Sequence, residues 1–295
     1  METADIISGP TKFWTIASLL DAAKNSLEAR GFEDARLNVE LLLAHVLRVR
    51  RTQLYANYDR PIEPNELADF NALLERRLAH EPLQYILGET EFMGLPLYVN
   101  SSVLVPRPET ELLVEKALET IKAKGNERVE ILDVGTGSGN IPVALAHFAE
   151  NAIITSIEIS APAVETAARN IRPYGFARIS LHREDVFSDF LPGKMFDIIV
   201  SNPPYVPAED FERLEPEIRD FEPRVATTDG GDGYAVIKRV IEVAAGKLKP
   251  NCSLLLEIAY NQSGETERIA RSCGFSEVEF FNDFSGIPRI MRACR

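Results

Sequence analysis

A chain of 295 residues, 45% hydrophobic and 26% charged, can bury a sizeable core and has room for a small domain beside a large one. Its net charge of −13 argues against a protein whose main partner is a nucleic-acid backbone, because basic residues that neutralise phosphates supply much of that affinity; a local basic patch stays possible. Cys252, Cys273 and Cys294 are odd in number, no pair has metal-ligand spacing and the four histidines form no ligand motif, so free thiols in a reducing cytoplasm and no metal are expected.

The opening METADIISGP lacks a basic n-region and an apolar h-region, which predicts no signal peptide, and no apolar run is long enough to span a bilayer. Residues up to about 85 read as a small helical bundle. Thr15 can cap a helix with Ile16, Leu19, Leu20, Ala23 and Leu27 on one side, closed by Gly31. Asp34 can cap a second, with Leu37, Leu41, Leu42, Val46 and Leu47 facing inward. Thr52 starts a short third, and Pro64 opens a fourth with Leu67, Phe70, Leu74 and Leu78 at helical spacing. Such faces are ordinarily core, so no site is expected on them.

The pattern then changes. Two apolar runs, Tyr85–Leu87 with Phe92 and Leu95–Val99, flank Met93-Gly94 and predict a β-hairpin linking two domains. The expected division is a helical domain over 1–84, a hairpin linker over 85–105 and a larger domain over 106–295. In VPRPETE, Arg107 stands between two prolines, so its side chain projects from a stiff loop, either into solvent or toward a ligand. A helix over Glu109–Lys124 follows, its first-turn acids suited to the positive end of the helix dipole.

From Val129 onward, strands alternate with helices: ILDVG, AIITSIEI, RISLHRED, FDIIVS and NCSLLLEIA, with VEFFND and PRIMRAC close enough to form an antiparallel pair at one edge. Seven strands with intervening helices predict a doubly wound α/β domain. Gly135, Gly137 and Gly139 turn from the first strand into a helix, where backbone N–H groups can meet a ligand. A dinucleotide turn reads G-x-G-x-x-G, and here Asn140 follows the G-x-G-x-G spacing instead. Glu158 ends the second strand, where an acid can bind ribose hydroxyls. Asp185 follows the third, where an acid can accept from an adenine amino group. Asp133 lies in the first strand, near the expected amino-acid end of a ligand. A ribose, an adenine and an ammonium without a pyrophosphate describe S-adenosylmethionine.

The fourth strand ends in Asn202-Pro203-Pro204-Tyr205. Residues before proline avoid the helical region and each proline fixes its own φ, so the four form a rigid shelf at the carboxyl edge of the sheet, where open α/β sheets bind ligands. A proline-rich loop with no ligand is the plain alternative.

Together, GTGSG after ILDV and NPPY after the fourth strand resemble the class I S-adenosylmethionine methyltransferases that methylate a nitrogen in a planar system. EPLQYILG at 81–88, VPRPETE at 105–111 and DGGDG at 229–233 are similar to the HemK-type release factor glutamine methyltransferases, over nearly the whole chain. The resemblance implies a seven-stranded Rossmann-like domain with an N-terminal helical domain that recognises the substrate. It implies methylation of N5 of the glutamine in the Gly-Gly-Gln loop of peptide chain release factors, by a cytoplasmic monomer.

The resemblance also implies roles for residues. Asp133, Gly135, Thr136, Gly137, Ser138, Gly139, Glu158, Asp185, Val186 and Asn202 hold the cofactor. Asn202, Pro203, Pro204, Tyr205 and Arg107 hold the substrate, with Asn202, Pro203 and Tyr205 catalytic. Val186 departs from relatives that place a large aromatic there, and Phe187 is the candidate substitute. An amino-methyltransferase of DNA or RNA satisfies the same shelf, since a base amine is also a conjugated nitrogen. The acidic stretch Glu209–Glu222 disfavours a polyanion and suits a basic protein surface. A non-catalytic module docking on translation factors is disfavoured by the intact Asn202 and Tyr205. A nicotinamide oxidoreductase is disfavoured by the glycine spacing.

Overall fold

The computed structural model describes residues 13–175 and 177–295, so the opening METADIISGP lies outside the described residues. Contacts divide the chain into two units, residues 1–87 and 88–295.

In the first unit, α1 (Ile16–Glu28), α2 (Ala35–Leu47), α3 (Arg51–Ala56), α4 (Pro64–Leu78) and α5 (Leu83–Leu87) enclose one core. Thr15 caps α1 as expected: its hydroxyl accepts from the Ser18 N–H at 3.3 Å, and the Ser18 hydroxyl accepts from the Thr15 N–H at 3.0 Å. Asp34 precedes α2 but makes no side-chain cap. The inner face of α2 departs from the expected one at Leu37, which is 36% exposed. Leu42 is buried, Val46 and Leu47 pack against the core, and Ala35, Val39 and Leu43 are buried beside them. Two polar residues also face inward. Asn38 accepts from the buried Arg77 guanidinium at 2.6 Å, and Glu40 accepts from Arg36 and from the Tyr55 hydroxyl at 2.5 Å each. Buried polar groups need partners, so these bonds fix the inward face as firmly as the leucines do. Tyr85–Leu87 is helical rather than strand: the N–H groups of Tyr85 and Ile86 donate to the Pro82 carbonyl at 3.0 and 3.1 Å.

The second unit opens with the hairpin β1 (Glu89–Phe92) and β2 (Leu95–Tyr98). Met93 and Gly94 both have positive φ, 50° and 75°, the backbone that a two-residue hairpin turn requires. Then follow α6 (Pro108–Ala123), β3 (Val129–Val134), α7 (Asn140–Phe148), β4 (Ala152–Glu158), α8 (Ala161–Ile171), β5 (Ile179–Arg183) and β6 (Phe196–Ser201). Three short helices follow, α9 (Ala208–Phe211), α10 (Pro216–Phe221) and α11 (Arg224–Thr227). The chain ends with α12 (Ala235–Lys247), β7 (Leu248–Glu257), α13 (Ser263–Ser272), β8 (Glu277–Asn282) and β9 (Pro288–Cys294).

The sheet order is β5-β4-β3-β6-β7-β9-β8, parallel except for β9, which pairs antiparallel with both β7 and β8. This is the expected seven-stranded α/β sheet with an antiparallel edge. Side chains of α6 and α7 fill one face, and those of α12 and α13 the other. The central strands are buried on both sides, which is why ILDV and FDIIVS read as continuous apolar runs. The chain leaves β3 toward β4 and β5, then returns to place β6 on the opposite side of β3. That reversal is a topological switch point, and it opens a crevice at the carboxyl ends of β3 and β6. Among the described residues, no helix is long and apolar enough to cross a membrane.

Candidate active site

Register brings the two loops together. Val134 at the end of β3 pairs with Ser201 at the end of β6, and the Ser201 hydroxyl donates to the Val134 carbonyl at 2.8 Å. The glycine turn and the Asn202 shelf therefore leave the sheet side by side. A cavity of about 230 Å³ lies over them.

The turn is built for backbone approach. Gly135, Gly137 and Gly139 have φ of 77°, 55° and 82°, and a Cβ on Gly137 would meet nothing within 4 Å. At Gly137 glycine is required by conformation rather than by crowding. Glu158, at the end of β4, accepts from the Gly137 N–H at 3.0 Å and from the Ser160 N–H at 2.9 Å. Each oxygen keeps lone-pair capacity toward the cavity it lines. Asp185 accepts from the Phe187 N–H at 2.9 Å and lines the same cavity with Val186 and the exposed Phe187.

Asp133 sits differently from its expected neighbours. It is fully buried in β3, does not line the cavity, and neither carboxylate oxygen has a hydrogen-bond partner among the described residues. Burial pushes its pKa up to about 7, against the lowering influence of the nearby Thr136 and Ser156 hydroxyls. Those two hydroxyls are themselves buried without a hydrogen-bond partner among the described residues.

Arg107 is not the solvated arginine that a stiff loop allows. Its Nη2 donates to both carboxylate oxygens of Glu222, at 2.8 and 3.0 Å. Glu222 closes the acidic stretch yet is buried, and burial holds its pKa above the ordinary value despite the Arg107 charge. Among the described residues that line the cavity, Arg107 is the one lysine or arginine, so none of them is set out to neutralise a pyrophosphate.

The shelf is braced from behind. The Asn202 Nδ2 donates to the Thr110 hydroxyl at 3.0 Å, which donates to Glu257 Oε2 at 2.7 Å. The Tyr205 hydroxyl donates to the other oxygen, Oε1, at 3.3 Å. Glu257 ends β7 fully inside the protein, and desolvation raises its pKa to about 7. Desolvation, with the Glu257 charge, also raises the Tyr205 phenol. The Tyr205 backbone carbonyl accepts from Gln262 Nε2 at 3.1 Å, and the Val206 N–H donates to the Thr227 carbonyl at 3.0 Å.

Asn202, Pro203 and Pro204 line the cavity, whereas Tyr205 does not. Thr110, Glu222, Glu257 and Gln262 were not anticipated from sequence. For Glu257 a signal existed: an acid closing an apolar strand, as Glu158 does.

Residues 18–88 match the PrmC N-terminal domain, and residues 108–214 match the methyltransferase small domain. The chain is 40% identical over 280 residues to the release factor glutamine methyltransferase of Geobacter sulfurreducens, covering 95% of this chain and 96% of that one. It is 38% identical over 290 residues to the release factor glutamine methyltransferase of Nitratidesulfovibrio vulgaris, covering 97% of each. Among solved structures it resembles a 16S rRNA N2 methyltransferase of T. thermophilus, with a TM-score of 0.51 and 17% identity, covering 70% of this chain and 49% of that one. The last likeness speaks to the fold alone.

Proposed function

The chain belongs to the family of release factor glutamine methyltransferases, and from that premise we propose that it transfers the methyl group of S-adenosylmethionine to N5 of the glutamine in the Gly-Gly-Gln loop of a release factor. The observation that carries this reading is the adjacency of the glycine turn to the Asn202 shelf across one pair of parallel strands.

The cavity suits that donor. Glu158 and Asp185 stand at strand ends where ribose hydroxyls and an adenine amine can donate to them. Gly135, Thr136, Gly137, Ser138 and Gly139 supply a backbone cradle, Val186 and Phe187 flank the adenine, and Asn202 borders the cofactor as well as the substrate. Asp133 supports the ammonium end from behind the wall. Arg107 is already paired with Glu222, which leaves acids to meet a cationic ligand. When bound, S-adenosylmethionine supplies an electrophilic methyl group on a sulfonium that leaves as a thioether.

The substrate amide is a poor nucleophile, because its nitrogen lone pair is delocalised into the carbonyl. Asn202 Oδ1 and the Pro203 carbonyl accept its two N–H hydrogens and aim the lone pair. No described residue donates a hydrogen bond to either oxygen. Pro203 and Pro204 hold that geometry in advance, so little ordering is left for the reacting complex. The Tyr205 ring borders the amide, with its hydroxyl turned toward Glu257. Arg107, locked by Glu222, shapes the entrance. The nitrogen loses its proton once the N–C bond has formed, when it is more acidic. The helical unit recognises the release factor, and the acidic residues of Glu209–Asp220 attract its basic surface. The enzyme acts as a monomer in the cytoplasm.

The deciding experiment incubates the protein with methyl-labelled S-adenosylmethionine and, in separate arms, a release factor, its Gln→Ala variant in the Gly-Gly-Gln loop, duplex DNA and ribosomal RNA. Label is expected in the intact release factor alone. Label in nucleic acid, with none in the release factor, would overturn the assignment and favour a base amino-methyltransferase.

A further inference from the structure

We propose that Thr110 and Glu257 are positioning residues that fix which way the Asn202 amide faces, turning its oxygen to the cavity. The inference rests on the proposed methyl transfer to a nitrogen bearing two hydrogens, and it assigns a role to two residues that act through Asn202.

While Glu257 is ionised it can only accept, so the single hydrogen of the Thr110 hydroxyl is used in the 2.7 Å bond to Glu257 Oε2. Only lone pairs remain to face Asn202, 3.0 Å away. The Asn202 side chain must then present its NH₂ to Thr110, because its oxygen would meet another acceptor there. Oδ1 is left without a partner among the described residues, on the side of the cavity that Asn202 lines. The opposite orientation would aim two donors at a substrate amine that also donates, and would not bind it. Glu257 in turn is held by the Tyr205 hydroxyl, so both functional side chains of the shelf hang from one buried carboxylate. Thr110 comes from the first turn of α6 and Glu257 from the end of β7, so the device joins two elements to the loop after β6.

The test compares, at pH 8, where Glu257 is ionised, wild-type protein, Thr110→Val, Thr110→Ser and Glu257→Gln. Thr110→Val keeps the shape and removes the hydroxyl. Glu257→Gln is nearly isosteric, but its amide can donate to Thr110, which frees the hydroxyl hydrogen to face Asn202 and reverse the amide. Both are expected to lower kcat roughly 10- to 100-fold, the scale for misaligned reacting groups, with S-adenosylmethionine affinity within about twofold of wild type. Thr110→Ser is expected to restore kcat.

A second readout needs no substrate. In protein labelled with ¹⁵N-asparagine, the Asn202 side-chain amide is expected to exchange its protons slowly in wild type and Thr110→Ser, and about tenfold or more faster in Thr110→Val. Wild-type kcat in Glu257→Gln, Thr110→Ser as impaired as Thr110→Val, or unchanged amide exchange in Thr110→Val would each overturn the proposal. If wild-type protein methylates no release factor, the functional assignment has failed, and the exchange comparison alone decides the positioning role.

Discussion

Gly233 and the carbonyl of Tyr205 are in such close apposition that a Cβ on Gly233 would lie 2.3 Å from the Tyr205 oxygen. The glycine also has φ of 81°. It belongs to DGGDG, where Asp229 accepts from the N–H groups of Gly231, Gly233 and Ala235 and so ties the loop to the start of α12. The motif thus packs bare backbone against the shelf. Gly233→Ala must push Tyr205 away, besides costing about 1 kcal/mol for the left-handed backbone. Turnover is expected to fall on the order of 10²-fold while S-adenosylmethionine affinity changes little, as steady-state kinetics and calorimetric titration would read. Normal turnover would mean that the shelf tolerates displacement.

The Arg107–Glu222 pair has an asymmetric cost. The Glu222 side chain is 1% exposed and that of Arg107 34%, so removing the arginine strands a buried carboxylate. Arg107→Ala is expected to destabilise the fold by about 1–3 kcal/mol in urea unfolding. Arg107→Ala combined with Glu222→Gln is expected to recover part of that loss, because the second change removes the unpaired charge. A double variant less stable than Arg107→Ala would show that the pair contributes packing rather than charge compensation.

The residues that meet the ligand were legible in the sequence because their reasons are local. Glycines at three turn positions, prolines after an apolar run and acids at strand ends each carry a constraint within a few residues. The braces were not legible, since their partners are distant along the chain: Thr110 and Glu257 are separated by 147 positions and Arg107 and Glu222 by 115. Nothing near Thr110 marks it as more than a first-turn threonine of a helix. The polar residues on the inner face of α2 escaped for the same reason. Asn38 faces inward because Arg77, on another helix, receives it. Tyr85–Leu87 misled because three apolar residues fit strand or helix equally, and Pro82 settled the matter by starting a turn.

Asn202 and Tyr205 can be separated kinetically. Asn202→Ala is expected to lower turnover 10²- to 10³-fold, the scale for losing one preorganised hydrogen-bonding group. Tyr205→Phe keeps the ring and removes only the hydroxyl donated to Glu257, so turnover is expected to change little and stability to drop by about 1 kcal/mol. Tyr205→Ala removes the ring and is expected to be severe. Equal losses of turnover in Phe and Ala variants would move the function of Tyr205 from its ring to its hydroxyl.

The buried carboxyl of Glu257 also makes a prediction about pH and stability. Its pKa is about 7 in the folded protein against an ordinary 4.5, raised by desolvation and by Glu109, and opposed by the Thr110 and Tyr205 hydroxyls and Arg289. Between those values the folded chain keeps a proton that the unfolded chain has released. Stability therefore falls as pH rises: the contribution is complete below about 4.5 and lost as pH passes about 7. One group can contribute at most about 1.4 kcal/mol per pH unit across that window. Glu257→Gln has no proton to lose. Urea unfolding from pH 5 to pH 8 is expected to give a flatter profile for this variant than for wild type, with the gap closing toward the acid end. Parallel profiles would mean that Glu257 ionises in the folded state as easily as in water. The flatter profile is expected in the same variant that turns over more slowly, since the charge that costs stability is the one that holds Thr110 and, through it, Asn202.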